Sequence, residues 1–569
     1  MRTSWSVWKS RVHQAGRKLW QSDTGISILI GLLVVLGLTA TADQGYVRDE
    51  GYYFKAAREY HAWFEELWRN LWAGRLGESF STATLSRAFG YNTEHPGFVK
   101  LLMGWSWKLF HEWLGVVGDA TGYRLGSILM NGVGAAFTYL LGVRVWNRSV
   151  GVLGVALLFA CPHVYYHSHL ACFDGPITAM TVVVTYAFLR SLQSWRWVIA
   201  TGLLWGVAVA TKHNALFLIP TLLLAYGLSR LAEFRWTPQW RLSLPAVPLA
   251  IFAIAVLGPL VFFVTYPYGW PAPMSRIGAY YSYHLHHEHY PVDYFGTLYT
   301  EPPFPVSFPF VMSAITVPLV VLLPGIVGWL LVSWRALRAL VLAFKTRTEM
   351  SEAGSAAWLL TVSAFIPPAI IAEPSVPIFG GTKHWMPMMP FFALFAAAVV
   401  VAACRELAHV RRWGQRLVPV LLALVVLLPA FETYRTERDG QTYFNELILG
   451  HQGGAALGMP RTFWGGDGVR LLPLINERAR PGAGVYTHRM NYDDFAAYQR
   501  NGLLRTDLRF VSELRQADYA LTYHQREYQD AEYRVWAFTG DRRPLASVTF
   551  DGVATVSLYE LRPKAEVRR

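Results

Sequence analysis

Charge is scarce in this sequence: Asp, Glu, Lys and Arg make up only 16% of 569 residues, against 53% that are hydrophobic. That share is too low for an ordinary soluble enzyme. Cysteine is scarcer still. Cys161, Cys172 and Cys404 stand in apolar segments without close ligand spacing, which excludes a disulfide framework and a cysteine-built zinc site and leaves them as core residues. Internal repeats and low-complexity tracts are also lacking, so nothing suggests the repeated halves common in transporters.

What the chain has instead is apolar runs, at 25–42, 125–143, 150–170, 175–189, 197–211, 214–229, 246–266, 310–334, 356–372, 385–404 and 417–431. These approach the roughly 20 residues needed for a ~30 Å hydrocarbon core, and snorkelling ends extend the shorter ones. The expectation is a polytopic α-helical membrane protein of about eleven spans. Lys212 and His213 interrupt 197–229, which reads as one bent span or two.

The net charge of +13 does not point to nucleic acid, because the basic residues cluster in alternate connections between runs. Arg144 and Arg148, Arg190 and Arg196, Arg230 with Arg235 and Arg241, 335–347 and 405–416 form the inside, together with Lys9, Arg11, Arg17 and Lys18. Ala40-Thr41-Ala42 imitates a cleavage site, but the run before it is long enough to stay as a first span.

That orientation puts the loops 43–97, 267–309 and 373–384, the turn at Asp174 and everything after 431 outside. The segment 98–117 would break the alternation if it crossed. Its Lys100, Lys108, Trp105, Trp107 and Trp113 suit a helix lying in the interface instead. From 432 to 569 the pattern turns into short β-rich runs at 484–488, 508–511, 519–523 and 546–561 around a helix at 492–500, as expected for a small external α/β or α+β domain.

Acidic residues at the outer mouth of spans carry the chemical interest. Asp49 and Glu50 follow the first span, where a carboxylate can take a proton from an acceptor hydroxyl, with Tyr52 beside them. Asp174, in Phe173-Asp174-Gly175-Pro176, can cap the helix it precedes or face Asp49 across a shared cavity. Glu94-His95-Pro96 sits at headgroup depth. The run 280–290 holds His284, His286, His287, Glu288 and His289 among tyrosines. Adjacent imidazoles seldom converge on one ion, so a cavity-lining external loop is favoured over a zinc site.

Taken in order, these pieces resemble the GT-C glycosyltransferases of the protein O-mannosyltransferase and aminoarabinose-transferase type. The matching elements are Asp49-Glu50, Glu94-His95-Pro96, Arg124-Leu125, Asp174 before Pro176, Thr211-Lys212-His213, Lys383-His384-Trp385-Met386-Pro387, Tyr443-Phe444-Asn445, Gly453-Gly454 and Trp464-Gly465. Gly97 departs from the second proline common in mannosyltransferases.

The resemblance implies inverting transfer of a sugar from a polyprenyl-phosphate carrier to an acceptor hydroxyl on protein, lipid or glycan, at the periplasmic face of a bacterial inner membrane. It implies Asp49 as general base, with Glu50 or Asp174 positioning the acceptor or the base. His95, Lys383 and His384, with Arg276 and Lys212 behind them, are the candidates for the donor phosphate. Glu94, Tyr52, His284, His286, His287 and His289 are candidates for the cavity wall. No cofactor is expected, because an ionised phosphate is already a good leaving group. The alternatives are a ligase acting on pyrophosphate-linked glycans and, from another class, a flippase for lipid-linked sugars.

Overall fold

Apolar helices dominate the computed structural model, which describes residues 22–236, 242–243, 245–410 and 412–561. The basic residues Lys9, Arg11, Arg17, Lys18 and Arg241 lie outside the described residues. Among the described residues, six helices are long and apolar enough to cross a membrane: Asp23–Ala40, Asp119–Val145, Leu319–Thr346, Glu352–Ile371, Met386–His409 and Trp413–Arg435. Shorter helices at Trp195–Thr211, His213–Ser229 and Leu249–Val264 accompany them, and Lys212 in an extended conformation separates the first two.

Two expected runs are broken. The 150–170 run is a pair of helices, Arg148–Phe159 and Pro162–His169, bent by 76°. Pro162 opens the second helix and has no N–H to continue the ladder of the first. The 310–334 run splits likewise into Phe308–Thr316 and Leu319–Thr346, with Val317 and Pro318 between them.

At the centre stands Asp174–Ser191, buried almost end to end. It packs against Asp119–Val145, Trp195–Thr211 and Met389–Val410. Its threonines make this interior position tolerable, because Thr178, Thr181 and Thr185 donate to the carbonyls of Asp174, Ile177 and Thr181 at 2.8–2.9 Å. Small residues allow the close approach: a Cβ on Gly134 would lie 2.5 Å from that of Ala179.

The two ends of the bundle differ in chemistry. One gathers the basic connections, where Arg148 meets Asp23, Arg144 meets Glu352, and Arg230 meets Glu349. The other carries the C-terminal domain. The segment starting at Phe98 is an α-helix to Ser106 and a π-helix over Trp107–Trp113, so it stops short of the expected Val117. Tyr91 before it donates to Asp493 at 2.6 Å, and Asp119 after it accepts from Asn501 at 3.1 Å. Both ends of this segment therefore lie on the side of the C-terminal domain.

The last apolar helix continues to Arg435, so the boundary expected at 432 falls inside it. Residues beyond it still belong to the bundle, as Asn445 Nδ2 donates to Ala314 O and Val317 O at 2.7 Å. The sheet unit follows, with strands β1 (Gly484–Thr487), β2 (Arg509–Val511), β3 (Tyr519–Tyr523), β4 (Ala546–Phe550) and β5 (Val553–Glu560) in the order β2-β1-β3-β5-β4. β1 runs parallel to β2 and β3, and the β5 contacts are antiparallel. The helix Tyr492–Arg500 is where the sequence pattern predicts it. Gln529–Thr539 is an addition: it buries only Ala531 and Val535, too thin an apolar stripe to stand out.

A buried ion pair fixes the helix Arg48–Trp72 to this frame. Arg124 Nε and Nη2 donate to Glu50 Oε1 and Oε2 at 2.8 and 2.7 Å, with both side chains at most 1% exposed. Glu50 also accepts from Val47 N at 3.2 Å and Ala171 N at 2.8 Å. Arg124 spends its remaining donors on the carbonyls of Ala42, Gln44 and Gly45. Glu50, expected to position acceptor or base, is a structural residue, because every lone pair it offers is already occupied away from the cavity.

Two measurements check this frame. Arg124→Met and Glu50→Gln should each destabilise the protein by ~3–5 kcal/mol, because each strands a buried partner. Replacing both with apolar residues should cost less than the sum, as read from thermal unfolding in detergent. Cysteines placed at the exposed positions Gly118 and Asp541 should label from the same side of sealed vesicles, since the native cysteines are buried. Labelling from opposite sides would show that 98–113 crosses.

Candidate active site

The domain-bearing end of the bundle encloses a cavity of about 600 Å³. The Arg48–Trp72 helix contributes Arg48, Asp49, Tyr52 and Tyr53, and the turn before Phe98 contributes Asn92, Glu94 and His95. Asp174, Lys212, His213, Lys383 and His384 line it from the bundle. Residues 100° apart on a helix face different surroundings, which is why Glu50 turns to Arg124 and Asp49 to the cavity. Among the described residues, the Asp49 carboxylate has no hydrogen-bond or ion-pair partner.

Asp174 occupies the first helical position, not the cap, and makes no capping hydrogen bond. It accepts from Lys212 Nζ at 2.6 Å, with both side chains 7% exposed. This pair is internally neutralised. Lys212, expected behind the phosphate site, is thus already committed to a carboxylate.

Lys383 is different. Two left-handed glycines, Gly380 at φ +77° and Gly381 at φ +66°, shape the turn that presents it. Its ammonium lies 3.8 Å from the centroid of the Trp464 ring and 5.3 Å from that of Phe379. Among the described residues no carboxylate pairs with it. Burial pulls its pKa down from the ordinary lysine value, and the negative charges of Asp174 and Asp49 oppose this. A buried cation that meets aromatic faces and no carboxylate can accept an anion.

Imidazoles surround this lysine. His95 and His384 are held well below the usual histidine range, by burial first and by neighbouring lysines next. Near pH 7 they are neutral hydrogen-bonding groups. Among the described residues, His95 Nδ1 and His384 Nε2 are buried without partners. His284 lies on a helix, Pro273–Leu285, where a loop was expected. It bonds Glu94 O at 2.8 Å and stacks on His213 at 3.8 Å.

The remaining expectations separate. Tyr52, Glu94, His284 and His287 line the cavity, but His286 and His289 do not. His286 bonds Ser282 O on its own helix, and His289 packs edge-on to Phe304. Arg276 is also elsewhere, spent on Tyr268 O and Ser86 Oγ at 2.7 Å. Among the described residues no three His, Cys, Asp or Glu side chains converge to hold a metal ion.

The C-terminal domain closes the cavity with Arg489, Gln525, Glu527 and Tyr528. No signal in the sequence singles these out, because only the docking of the domain brings them to the site. Docking runs through Gly51 N to Asp494 Oδ1 at 2.8 Å and Arg48 N to Trp464 O at 2.9 Å.

Comparison with known proteins gives one partial family match and several distant structural likenesses. Residues 94–263 match the family described as dolichyl-phosphate-mannose-protein mannosyltransferase. The fold is similar to that of ArnT from Cupriavidus metallidurans in the apo state, at 14% identity and TM-score 0.49, covering 94% of this chain and 98% of that one. The same protein bound to undecaprenyl phosphate gives 0.48. The apo oligosaccharyltransferase of Archaeoglobus fulgidus gives 11% identity and TM-score 0.47, over 92% of this chain and 71% of that one. No curated protein matches the sequence. The mannosyltransferase match covers less than a third of the chain and takes in His95, Arg124, Asp174 and Lys212.

Proposed function

We propose that this cavity transfers a sugar from a polyprenyl-phosphate carrier to an acceptor hydroxyl, with inversion at the anomeric carbon. One observation carries the reading: a free carboxylate, Asp49, and a buried cation without an anion, Lys383, line the same cavity. The family matched over 94–263 supports it, since its name describes transfer from dolichyl-phosphate mannose to protein.

In this reading the carrier phosphate lies at Lys383, within reach of hydrogen bonds from His95 and His384. The acceptor oxygen gives its proton to Asp49 and attacks the anomeric carbon from the face opposite the phosphate. The carbon–oxygen bond to phosphate breaks, and the electron pair stays on the phosphate, where the Lys383 ammonium offsets the added charge. The Asp174–Lys212 pair adds a fixed dipole at the wall and orients the site without taking the proton. The acceptor is a protein, lipid or glycan hydroxyl. The cavity and the C-terminal domain face the periplasm of a bacterial inner membrane, a placement favoured by the basic residues at the opposite end of the bundle.

Asp49→Asn retains the shape and removes the basicity, so the purified variant should bind donor normally and turn over ~10²–10⁴-fold more slowly. Near-normal turnover would remove Asp49 from the role of base. Lys383→Ala should weaken binding of a polyprenyl-phosphate sugar by ~10–100-fold, the worth of charge-assisted bonds to a phosphate. Lys383→Arg should restore part of that binding. His95→Ala should lose less, since a neutral imidazole contributes one uncharged hydrogen bond. Unchanged donor affinity in Lys383→Ala would place the phosphate elsewhere. Equal use of pyrophosphate-linked glycans would instead identify a ligase.

A further inference from the structure

The C-terminal wall of the cavity holds positive charge that the proposed reaction leaves unused. Arg489 is 9% exposed and donates to Tyr528 Oη at 2.6 Å, while its Nε has no partner among the described residues. Arg48 lines the same cavity, with Tyr52 and Tyr528 as neighbours. Among the described residues neither guanidinium pairs with a carboxylate. Their neighbours on the domain behave differently, as Arg480 meets Asp518, Arg505 meets Asp507, and Arg526 meets Asp293.

The nearby acid does not cancel this charge. Glu527 faces Arg489, Arg48 and Asp293, and burial pushes its carboxyl up to about 7, against the pull of the two arginines. Near neutral pH it is therefore only partly ionised. A polar atom of the same wall is also orphaned: among the described residues, Oε1 of Gln525 is buried without a partner. A guanidinium presents paired donors that match the oxygens of a carboxylate or phosphate.

We infer that Arg48, Arg489 and Tyr528 form a second anion subsite of the cavity, distinct from Lys383, and that it holds a carboxylate or phosphate group on the acceptor. The inference rests on the reading that Lys383 holds the carrier phosphate. A monophosphate carrier brings one anionic group, so a second comes from the other substrate. Arg489 also sits on the domain outside the bundle, away from where a lipid tail must remain.

Calorimetric titration of the full chain in detergent tests this, with farnesyl phosphate as the probe for the first subsite. With farnesyl phosphate at saturation, glucuronate and glucose 6-phosphate are then titrated separately, and glucose serves as the neutral control. At least one anionic sugar should bind, and which one distinguishes carboxylate from phosphate; glucose should not. Arg489→Gln should weaken that binding by ~10–100-fold and leave farnesyl phosphate affinity unchanged. Tyr528→Phe, which keeps the guanidinium but frees it, should give a smaller loss in the same direction.

The inference fails if no anionic sugar binds the saturated protein, or if both variants bind it as the wild type does. It also fails if Arg489→Gln weakens farnesyl phosphate as much as Lys383→Ala, which would indicate one extended phosphate site for a pyrophosphate carrier. Farnesyl phosphate binding that ignores Lys383→Ala would instead overturn the underlying reading, a separable outcome.

Discussion

The buried pair between Glu50 and Arg124 is the constraint on which the site depends. Ions removed from water are tolerated only when every donor and lone pair finds a partner, and here they do. Satisfying them pulls together the carbonyls at 42–45, the start of the Arg48–Trp72 helix, the Asp119–Val145 helix and the backbone at Ala171. With its first turn fixed in this way, the Arg48–Trp72 helix has no choice about where Asp49 points. The same turn offers Gly51 N and Arg48 N and O to the C-terminal segment, so one ion pair sets both the carboxylate and the wall facing it.

Charges around the cavity are divided between committed and free. Asp174 and Lys212 neutralise each other at the end of the most buried helix, which lets that helix stay central without an isolated charge. Lys383 is held against aromatic faces, with no counter-ion among the described residues. Asp49 is likewise unengaged. The histidines between them are neutral at pH 7 by burial, so they shape and hydrogen-bond without adding repulsion to the lysines. Among the described residues, the cavity thus presents an unpaired acid, Asp49, and cations without a carboxylate partner at Lys383, Arg48 and Arg489.

The C-terminal unit is therefore part of the site. The stretch between Arg435 and the first strand stays on the bundle, anchored by Asn445, and places Trp464 over Lys383 at a left-handed φ of +55°. The sheet then supplies Arg489, Glu527 and Tyr528 to the opposite wall.

Much of this was legible in the sequence. Runs of apolar residues and the alternation of basic connections give the spans and the two unlike ends, because lipid solubility is a local property of composition. Strands fall within the β-rich runs at 484–488, 519–523 and 546–561, the last of which folds as two strands, and Asp49, Asp174, His95 and Lys383 stand out as polar residues at the mouths of spans. What the sequence could not decide was which of two adjacent acids faces the cavity. It also left open whether Asp174 caps a helix or pairs with a lysine 38 residues away, and whether Arg276 and the outer histidines reach the site. Those choices belong to the tertiary structure. A charge takes its role from the partners that satisfy it in a dry interior, and packing brings those partners from elements distant along the chain.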